Sequence, residues 1–192
     1  MLSATIREIE YQGNRAILKE FRNTDPLTAS LIGPAMLRRE EAALRRLEGL
    51  PGIPKLYGKD GRHGLILEFI EGRPMKSYKA GELPDRFLRS LSDLVSRMHK
   101  RGVVHLDLRH NKNILVTPGG DPVLLDFANA FRHNTLLDPW WGLLRRIDMS
   151  GVLKQKYRNF PHLITGSEED QLRRHRLLRR LWILRKRGKY SR

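Results

Sequence analysis

The segment VVHLDLRHNKNILV at residues 103–116 holds residue types that could act on a hydroxyl group. An apolar pair leads into His105 and Asp107, and a polar, basic run separates Asp107 from Asn113. A carboxylate can orient or deprotonate a hydroxyl, and an amide oxygen near it can bind Mg²⁺. The segment is therefore predicted to be a polar loop between two buried strands, with residue types in it that could do this chemistry.

Three more residues in the chain could serve the same chemistry. Lys19 ends the apolar strand AILK, Glu40 lies in the helix that follows, and Asp126 comes 19 residues after Asp107 in LLDFA. Phosphoryl transfer needs a cation on the nucleotide phosphates, oxygen ligands for Mg²⁺ and a carboxylate facing the acceptor hydroxyl. Each residue alone is an ordinary surface feature, but their order along the chain predicts a phosphotransferase site.

The elements that position these residues are predicted from hydrophobic periodicity and turn signals. Two strands flank Gly13-Asn14, and a helix over residues 35–50 stops near Gly49. The later elements are two strands (KLYG and GLILEFIEG), an amphipathic helix (RFLRSLSDLVSRMHKRG) capped by Gly102, a hairpin (ILVTPGGDPVLLDFA) and a helix over residues 139–158. A small mixed sheet with one helix, followed by a mostly helical part, indicates an α+β fold.

Together these motifs resemble the protein-kinase-like superfamily, especially its compact bacterial and atypical members, the RIO-type and lipopolysaccharide-core sugar kinases. The resemblance covers about residues 4–135. It implies a two-lobed α+β fold with a truncated N-lobe sheet over residues 1–70 and a small, mostly helical C-lobe over residues 71–165. A basic amphipathic helix over residues 166–192 is predicted to follow.

The resemblance also implies a role for each motif residue, with ATP and Mg²⁺ or Mn²⁺ as cofactors. In the implied site Lys19 contacts the nucleotide phosphates and pairs with Glu40, and the backbone of Glu68, Phe69 and Ile70 meets the adenine edge. Asp107 orients or deprotonates the acceptor hydroxyl, and Arg109 steadies the transferred phosphoryl group. Asn113 and Asp126 bind the metal ion.

Two assignments have competitors beside them. Glu41 adjoins Glu40, which better matches the family spacing to the apolar Leu44 and Leu47 of its helix. The kinase loop places Asn five residues after the catalytic Asp, whereas Asn113 comes six residues after Asp107. Asn111 or Lys112 is therefore an alternative to Asn113 as the residue that points into the site.

Other departures separate this chain from regulated protein kinases. His-Leu-Asp replaces His-Arg-Asp, Asp-Phe-Ala at residues 126–128 replaces Asp-Phe-Gly, and no Ala-Pro-Glu motif follows. The residues before Lys19 hold one glycine, Gly13, so the sequence shows no glycine-rich loop. The alternative to an active kinase is therefore a pseudokinase, or a basic module that binds membrane or nucleic acid without turnover.

The composition of the chain indicates in which cellular compartment it works and what kind of partner it binds. The 192 residues include no cysteine, which excludes disulfides, zinc thiolate sites and a thiol nucleophile, and fits a cytoplasmic protein. Neither a signal-peptide pattern nor an apolar run of membrane-spanning length is present. Residues 171–192 hold ten of the 37 Lys and Arg and no acid. Their helix is predicted either to pack its apolar side on the C-lobe with its charges in solvent, or to bind an anionic membrane surface, peripheral on the inner membrane. Nucleic acid is the less favoured partner.

The predicted reaction is transfer of phosphate from ATP to a hydroxyl group. The predicted acceptor is a sugar of the lipopolysaccharide core or another envelope glycolipid, or a protein Ser/Thr. The basic residues 171–192 favour the glycolipid, because they would hold the chain at an anionic surface.

Overall fold

The computed structural model describes residues 4–21, 28–133 and 140–168. The chain begins with a four-stranded antiparallel sheet in the order β1-β2-β4-β3. Its strands are β1 (Thr5–Tyr11), β2 (Asn14–Glu20), β3 (Leu56–Asp60) and β4 (Gly64–Glu68). The register pairs Lys19 with Ile6 on β1 and with Leu65 on β4. Lys19 therefore projects from a strand that has a neighbour on both sides.

The first hairpin turns one residue earlier than the sequence indicated. Gln12 and Gly13 form the turn, with φ angles of 52° and 74°. Two consecutive residues with positive φ are typical of the type I′ turn, whose twist matches that of the flanking strands. The two strands predicted on either side of this turn are confirmed.

Helix α1 (Gly33–Arg46) packs on one face of the sheet. Pro34 in its first turn suits a helix start, because that residue needs no hydrogen-bond donor there. Gly49, with φ of 71°, lies just beyond the end. The inner face buries Leu37 and Leu44, and Glu40 between them is buried as well. A carboxylate on an apolar helix face needs a buried partner.

The second part of the chain is mostly helical. Helix α2 (Asp85–Lys100) buries the predicted apolar face and ends before Gly102, whose φ is 73°. The short strands of this part are β5 (Arg73–Pro74), β6 (Val103–Val104), β7 (Ile114–Val116), β8 (Pro122–Leu124) and β9 (Phe131–Arg132). Helix α3 (Trp141–Asn159) completes the core, which runs continuously from the inner face of the sheet into α2 and α3. The predicted α+β architecture is confirmed.

A helical turn starts at residue 166, close to the end of the described chain. Thr165 donates from its backbone N and its Oγ1 to Glu168 Oε2, both at 2.9 Å, which is one half of a capping box. The ion pair with Lys156 on α3 and the bonds from Thr165 hold the pKa of Glu168 below its ordinary value. Beyond residue 168 the predicted basic helix lies outside the described residues.

None of the helices within the described ranges has the length and apolar character that crossing a membrane requires.

Candidate active site

Lys19, Glu40 and Asp126 meet in one ion-pair network. Lys19 Nζ lies 2.6 Å from Glu40 Oε2 and 2.7 Å from Asp126 Oδ1. Glu40 Oε1 also accepts a hydrogen bond from the Phe127 backbone N at 3.2 Å. Glu41 faces elsewhere and pairs with Lys59 on β3. The buried Glu40 therefore joins the sheet lysine to the segment that carries Asp126.

Charge states within this network follow from its contacts. Burial lowers the pKa of Lys19, but the carboxylates of Glu40 and Asp126 outweigh it and hold the pKa above its ordinary value. Burial raises the pKa of Asp126, but the Lys19 ammonium and a backbone hydrogen bond from Ala128 bring it below the ordinary value. At neutral pH Lys19 is therefore protonated and Asp126 ionised.

Asp107 is held by contacts on both of its carboxylate oxygens. Asn113 Nδ2 donates to Asp107 Oδ2 at 2.8 Å and to the Asp107 carbonyl at 3.2 Å. His110 Nδ1 contacts Asp107 Oδ1 on the other side. The Asn113 side chain is buried, so the loop turns back on itself and brings Asn113 beside Asp107 despite the extra residue.

His105 fixes the start of this loop. The Leu125 carbonyl accepts a hydrogen bond from His105 Nε2 at 2.9 Å, and the Asp107 backbone N donates to His105 Nδ1 at 3.3 Å. A carbonyl only accepts, so Nε2 of the fully buried ring is the donor in the bond to Leu125. His105 thereby ties the loop of Asp107 to the residue before Asp126.

Asp148 on α3 holds the same loop from below. Its Oδ2 accepts hydrogen bonds from the His105 backbone N at 2.7 Å and from His99 Nε2 at 3.0 Å, and its Oδ1 accepts one from the Leu106 backbone N at 2.7 Å. Leu106 has φ of 64°, a left-handed conformation that costs energy for a residue with a side chain. The bonds to Asp148 stabilise this strained backbone immediately before Asp107.

Further along α3, three residues contact the next part of the loop. Gln155 Nε2 donates to the Leu108 carbonyl at 2.8 Å, and Lys154 Nζ donates to the Arg109 carbonyl at 3.2 Å. At Gly151 an added Cβ would lie 2.9 Å from Leu108 Cβ and 3.1 Å from the Arg109 backbone N. Helix and loop therefore touch at a position where only glycine fits.

We expect Gly151→Ala to displace the loop of Asp107 and to lower turnover by on the order of 100-fold, since small misplacements of reacting groups cost about that much. The crowded methyl should also lower the free energy of unfolding by about 1–3 kcal/mol. Turnover and denaturant unfolding measure the two effects.

The matched control is Gly142→Ala in the same helix, where an added Cβ meets nothing within 4 Å. Alanine is the better helix former, so this variant should keep its turnover and be as stable as the original or slightly more so. Equal effects of the two substitutions would contradict the proposed packing role of Gly151.

A cavity of about 390 Å³ lies between the sheet and the helical part. Ile6 and Ile17 of the sheet line it with apolar surface. The sequence-predicted residues that line it are Lys19, Glu40, Glu68, Phe69, Ile70, Asn113 and Asp126. Asp107 lies next to the wall through its bond to Asn113, whereas Arg109 is exposed and lines no part of the cavity.

Two polar atoms of Glu68, its backbone N and its Oε2, already form hydrogen bonds with Lys55. Its backbone N donates to the Lys55 carbonyl at 2.9 Å, and its Oε2 accepts a bond from the Lys55 backbone N at 3.0 Å. Phe69 and Ile70 follow β4 and lie outside the strand ladder. Both residues line the cavity just beyond the paired part of β4.

Asn113 and Asp126 offer a donor set that suits Mg²⁺. The Asn113 amide nitrogen is used by Asp107, which leaves its Oδ1 as the oxygen available to a cation. Asp126 adds a carboxylate on the same cavity wall. Mg²⁺ is commonly held by one or two protein oxygens together with phosphates and water. Within the described residues, no cluster of three His, Cys, Asp or Glu forms a metal cage of its own.

Sequence reasoning missed Asp148, Gly151 and Gln155. None belongs to a short motif, but with Asn159 they recur at three- and four-residue intervals along α3. Such a stripe of polar and glycine residues on a buried helix face indicates contact with backbone rather than with an apolar core. This spacing is the feature of the sequence that could have indicated a helix face in contact with the loop backbone.

Comparison with solved structures gives the same architecture. The crystal structure of the Rio2 kinase from Chaetomium thermophilum matches with a TM-score of 0.67 at 18% identity, over 86% of this chain and 56% of that one. A second structure from the same organism, described as a Rio2 kinase-ADP/Mg²⁺-phosphoaspartate complex, matches with a TM-score of 0.62 at 18% identity, over 85% and 57% of the two chains. The fold and the site thus define a kinase-like α+β protein.

The family model of the RIO domain matches residues 10–158, well over half of the chain. The chain belongs to the RIO domain family. Among curated proteins, a probable SapB synthase of Streptomyces coelicolor is 34% identical over 62% of this chain, and a probable cAMP-dependent protein kinase catalytic subunit of Encephalitozoon cuniculi is 33% identical over 48%. The chain spans only 15% and 31% of the lengths of these two relatives.

Proposed function

We propose that this protein is an ATP- and Mg²⁺-dependent phosphotransferase that acts on a hydroxyl group. The observation that carries the proposal is the joining of Lys19, Glu40 and Asp126 by ion pairs at a cavity that also contains Asn113, with Asp107 one hydrogen bond away. The neighbouring Rio2 kinase, whose structure is described as holding ADP and Mg²⁺, supports the choice of cofactors. The proposed lobes are residues 1–70 and 71–165.

Each residue has a proposed task in this reaction. Lys19 contacts the phosphates while Glu40 holds it extended, and the backbone at Glu68–Ile70 meets the adenine edge. Asn113 and Asp126 would hold Mg²⁺, which when bound neutralises charge on the phosphate oxygens. Asp107 orients or deprotonates the acceptor hydroxyl, which lies on the open side of the loop.

Two acceptor classes are proposed. Relatives named as protein kinases support a protein Ser/Thr. The basic residues 171–192 support a sugar of an anionic envelope glycolipid, reached from the cytoplasmic face of a membrane. In the geometry of the loop, the exposed Arg109 beside Asp107 suits either an acidic peptide or an anionic glycolipid.

A pseudokinase is the second candidate. It is favoured because the charged groups of Lys19 and Asp107 already have partners within the protein. The Lys19 ammonium forms ion pairs with two carboxylates, and each carboxylate oxygen of Asp107 contacts a neighbouring side chain. In this case the cavity would bind nucleotide without transferring phosphate.

Asp126→Asn tests the proposal, because it keeps the size of the side chain and removes the charge that would hold the cation. We expect the unaltered protein to transfer phosphate from ATP only with Mg²⁺ or Mn²⁺, and the variant to lose turnover by on the order of 100-fold or more. The measurement is transfer of labelled phosphate to a panel of Ser/Thr proteins and to an anionic glycolipid in vesicles.

The control is Asp121→Asn, which changes an exposed aspartate in the turn between β7 and β8 and should leave turnover unchanged. Mg²⁺-dependent nucleotide binding without turnover on any acceptor would support the pseudokinase instead. Turnover that Asp126→Asn leaves intact would contradict the proposed metal site.

A further inference from the structure

Lys112 lies five residues after Asp107, in a loop that is one residue longer than the kinase pattern. It follows Asn111 and immediately precedes Asn113 in a single helical turn. Its side chain is exposed, and it lines the same cavity as Lys19 and Asp126. Lys112 therefore approaches the cavity from the loop, whereas Lys19 approaches it from the sheet.

The two lysines differ in what neutralises them. Lys19 has a carboxylate on either side, within 2.7 Å, so its charge is largely offset. No carboxylate among the described residues lies within ion-pair distance of the Lys112 ammonium, and Lys112 makes no side-chain hydrogen bond within those ranges. Of the cavity's positively charged residues in the described part of the chain, Lys112 is thus the one that is uncommitted.

The cavity wall carries more acidic than basic side chains, so a lysine without an acidic partner matters for binding an anionic ligand. Three acids that line the cavity, Glu40, Glu68 and Asp126, outnumber the two lysines. A nucleotide triphosphate is strongly anionic, and a wall with excess negative charge repels it unless cations lie close to the phosphates. Mg²⁺ at Asp126 would supply part of this compensation, and a free ammonium on the same wall would supply more.

We propose that Lys112 is a second phosphate-binding residue, which contacts the polyphosphate of the nucleotide from the loop side. This inference rests on the proposed function to the extent that the cavity binds a nucleotide, but it does not require turnover. In this proposal the longer loop places the Lys112 ammonium at the cavity, while Asn113 keeps its hydrogen bond to Asp107. The ligand class is a nucleoside di- or triphosphate.

The test is equilibrium binding of adenosine, ADP and ATP, with Mg²⁺, to the unaltered chain and to Lys112→Gln and Lys112→Arg. We expect Lys112→Gln to weaken ATP binding by about tenfold, as the loss of one partly exposed charge contact predicts, and ADP binding by a smaller factor. Adenosine affinity should not change, because adenosine carries no phosphate. Lys112→Arg keeps the charge and should retain most of the ATP affinity.

Lys100→Gln is the matched control, because it removes the charge of an exposed lysine at the end of α2 that lines no part of the cavity. An unchanged ATP affinity in Lys112→Gln, an equal loss for adenosine, or an equal loss in Lys100→Gln would each overturn the proposal. So would the absence of ATP binding by the unaltered chain. ATP binding that depends on Lys112, in a chain that transfers phosphate to no acceptor, would refute the proposed phosphotransferase and uphold Lys112.

Discussion

Asp107→Asn is expected to abolish phosphoryl transfer while leaving the binding of nucleotide and Mg²⁺ nearly unchanged. Asp107 is not among the residues that line the cavity, so we do not expect the nucleotide to contact its carboxylate. An asparagine has the same size and can still accept the bond from Asn113 Nδ2, so the loop should keep its shape. It cannot take a proton from the acceptor hydroxyl, and loss of a general base costs about 10²–10⁴-fold in rate.

Two measurements on the same preparation separate these effects. Turnover is followed by phosphate transfer, and nucleotide affinity by equilibrium binding, with Asp121→Asn as the exposed control. If Asp107→Asn keeps more than about a tenth of the turnover, the role of Asp107 as a base is wrong. A parallel loss of affinity and turnover would instead place Asp107 among the residues that bind nucleotide.

The contacts of Asp107 also indicate from which side an acceptor arrives. Its Oδ2 faces the buried Asn113, and its Oδ1 faces His110, whose side chain is 62% exposed. A carboxylate can accept about four hydrogen bonds, so a hydroxyl need not displace either partner. Of the two partners, the exposed His110 is the one that can move without opening the core. We therefore expect an acceptor hydroxyl to reach Asp107 from the side of His110.

The meeting of Lys19, Glu40 and Asp126 could be expected from the sequence because it depends on order and spacing. A lysine at the end of a strand, a glutamate on the next helix and an aspartate after a hairpin are brought together by any fold of this type. The choice of Glu40 over Glu41 depends on helical geometry. Neighbouring residues project about 100° apart, so that Glu40 faces Lys19 and Glu41 faces Lys59.

The support beneath the loop could not be predicted in the same way. Asp148 is 41 residues from Asp107, and its partners are backbone N–H groups, which leave no mark on the sequence. Helix α3 was predicted as a helix, but its burial pattern was not, because its inner face carries Asp148, Gly151 and Gln155 beside the apolar Val152. The strained Leu106 shows why these residues are needed, and its φ of 64° is visible only in the structure.

Asp148→Asn should therefore damage the site from a distance. The amide keeps one oxygen, so either Leu106 N–H or the N–H groups of His105 and His99 must face an NH₂ group that cannot accept. One buried donor left without a partner costs about 1–3 kcal/mol, which denaturant unfolding measures. Release of the strained Leu106 should move Asp107 and reduce kcat by on the order of 100-fold.

The pattern of the kinetic change distinguishes positioning from general loss of structure. The hydrogen bonds of Asp148 go to His99, His105 and Leu106, and none of these residues lines the cavity. The KM for ATP should therefore stay within about twofold in the folded fraction, while kcat falls. The control is Asp93→Asn on α2, which removes an exposed ion pair with Arg97 and should cost less than about 1 kcal/mol without changing kcat. Asp148→Asn could instead lower stability and leave the kcat of the folded protein intact. In that case the geometry of the Asp107 loop does not depend on Asp148, and other core contacts stabilise the left-handed conformation of Leu106.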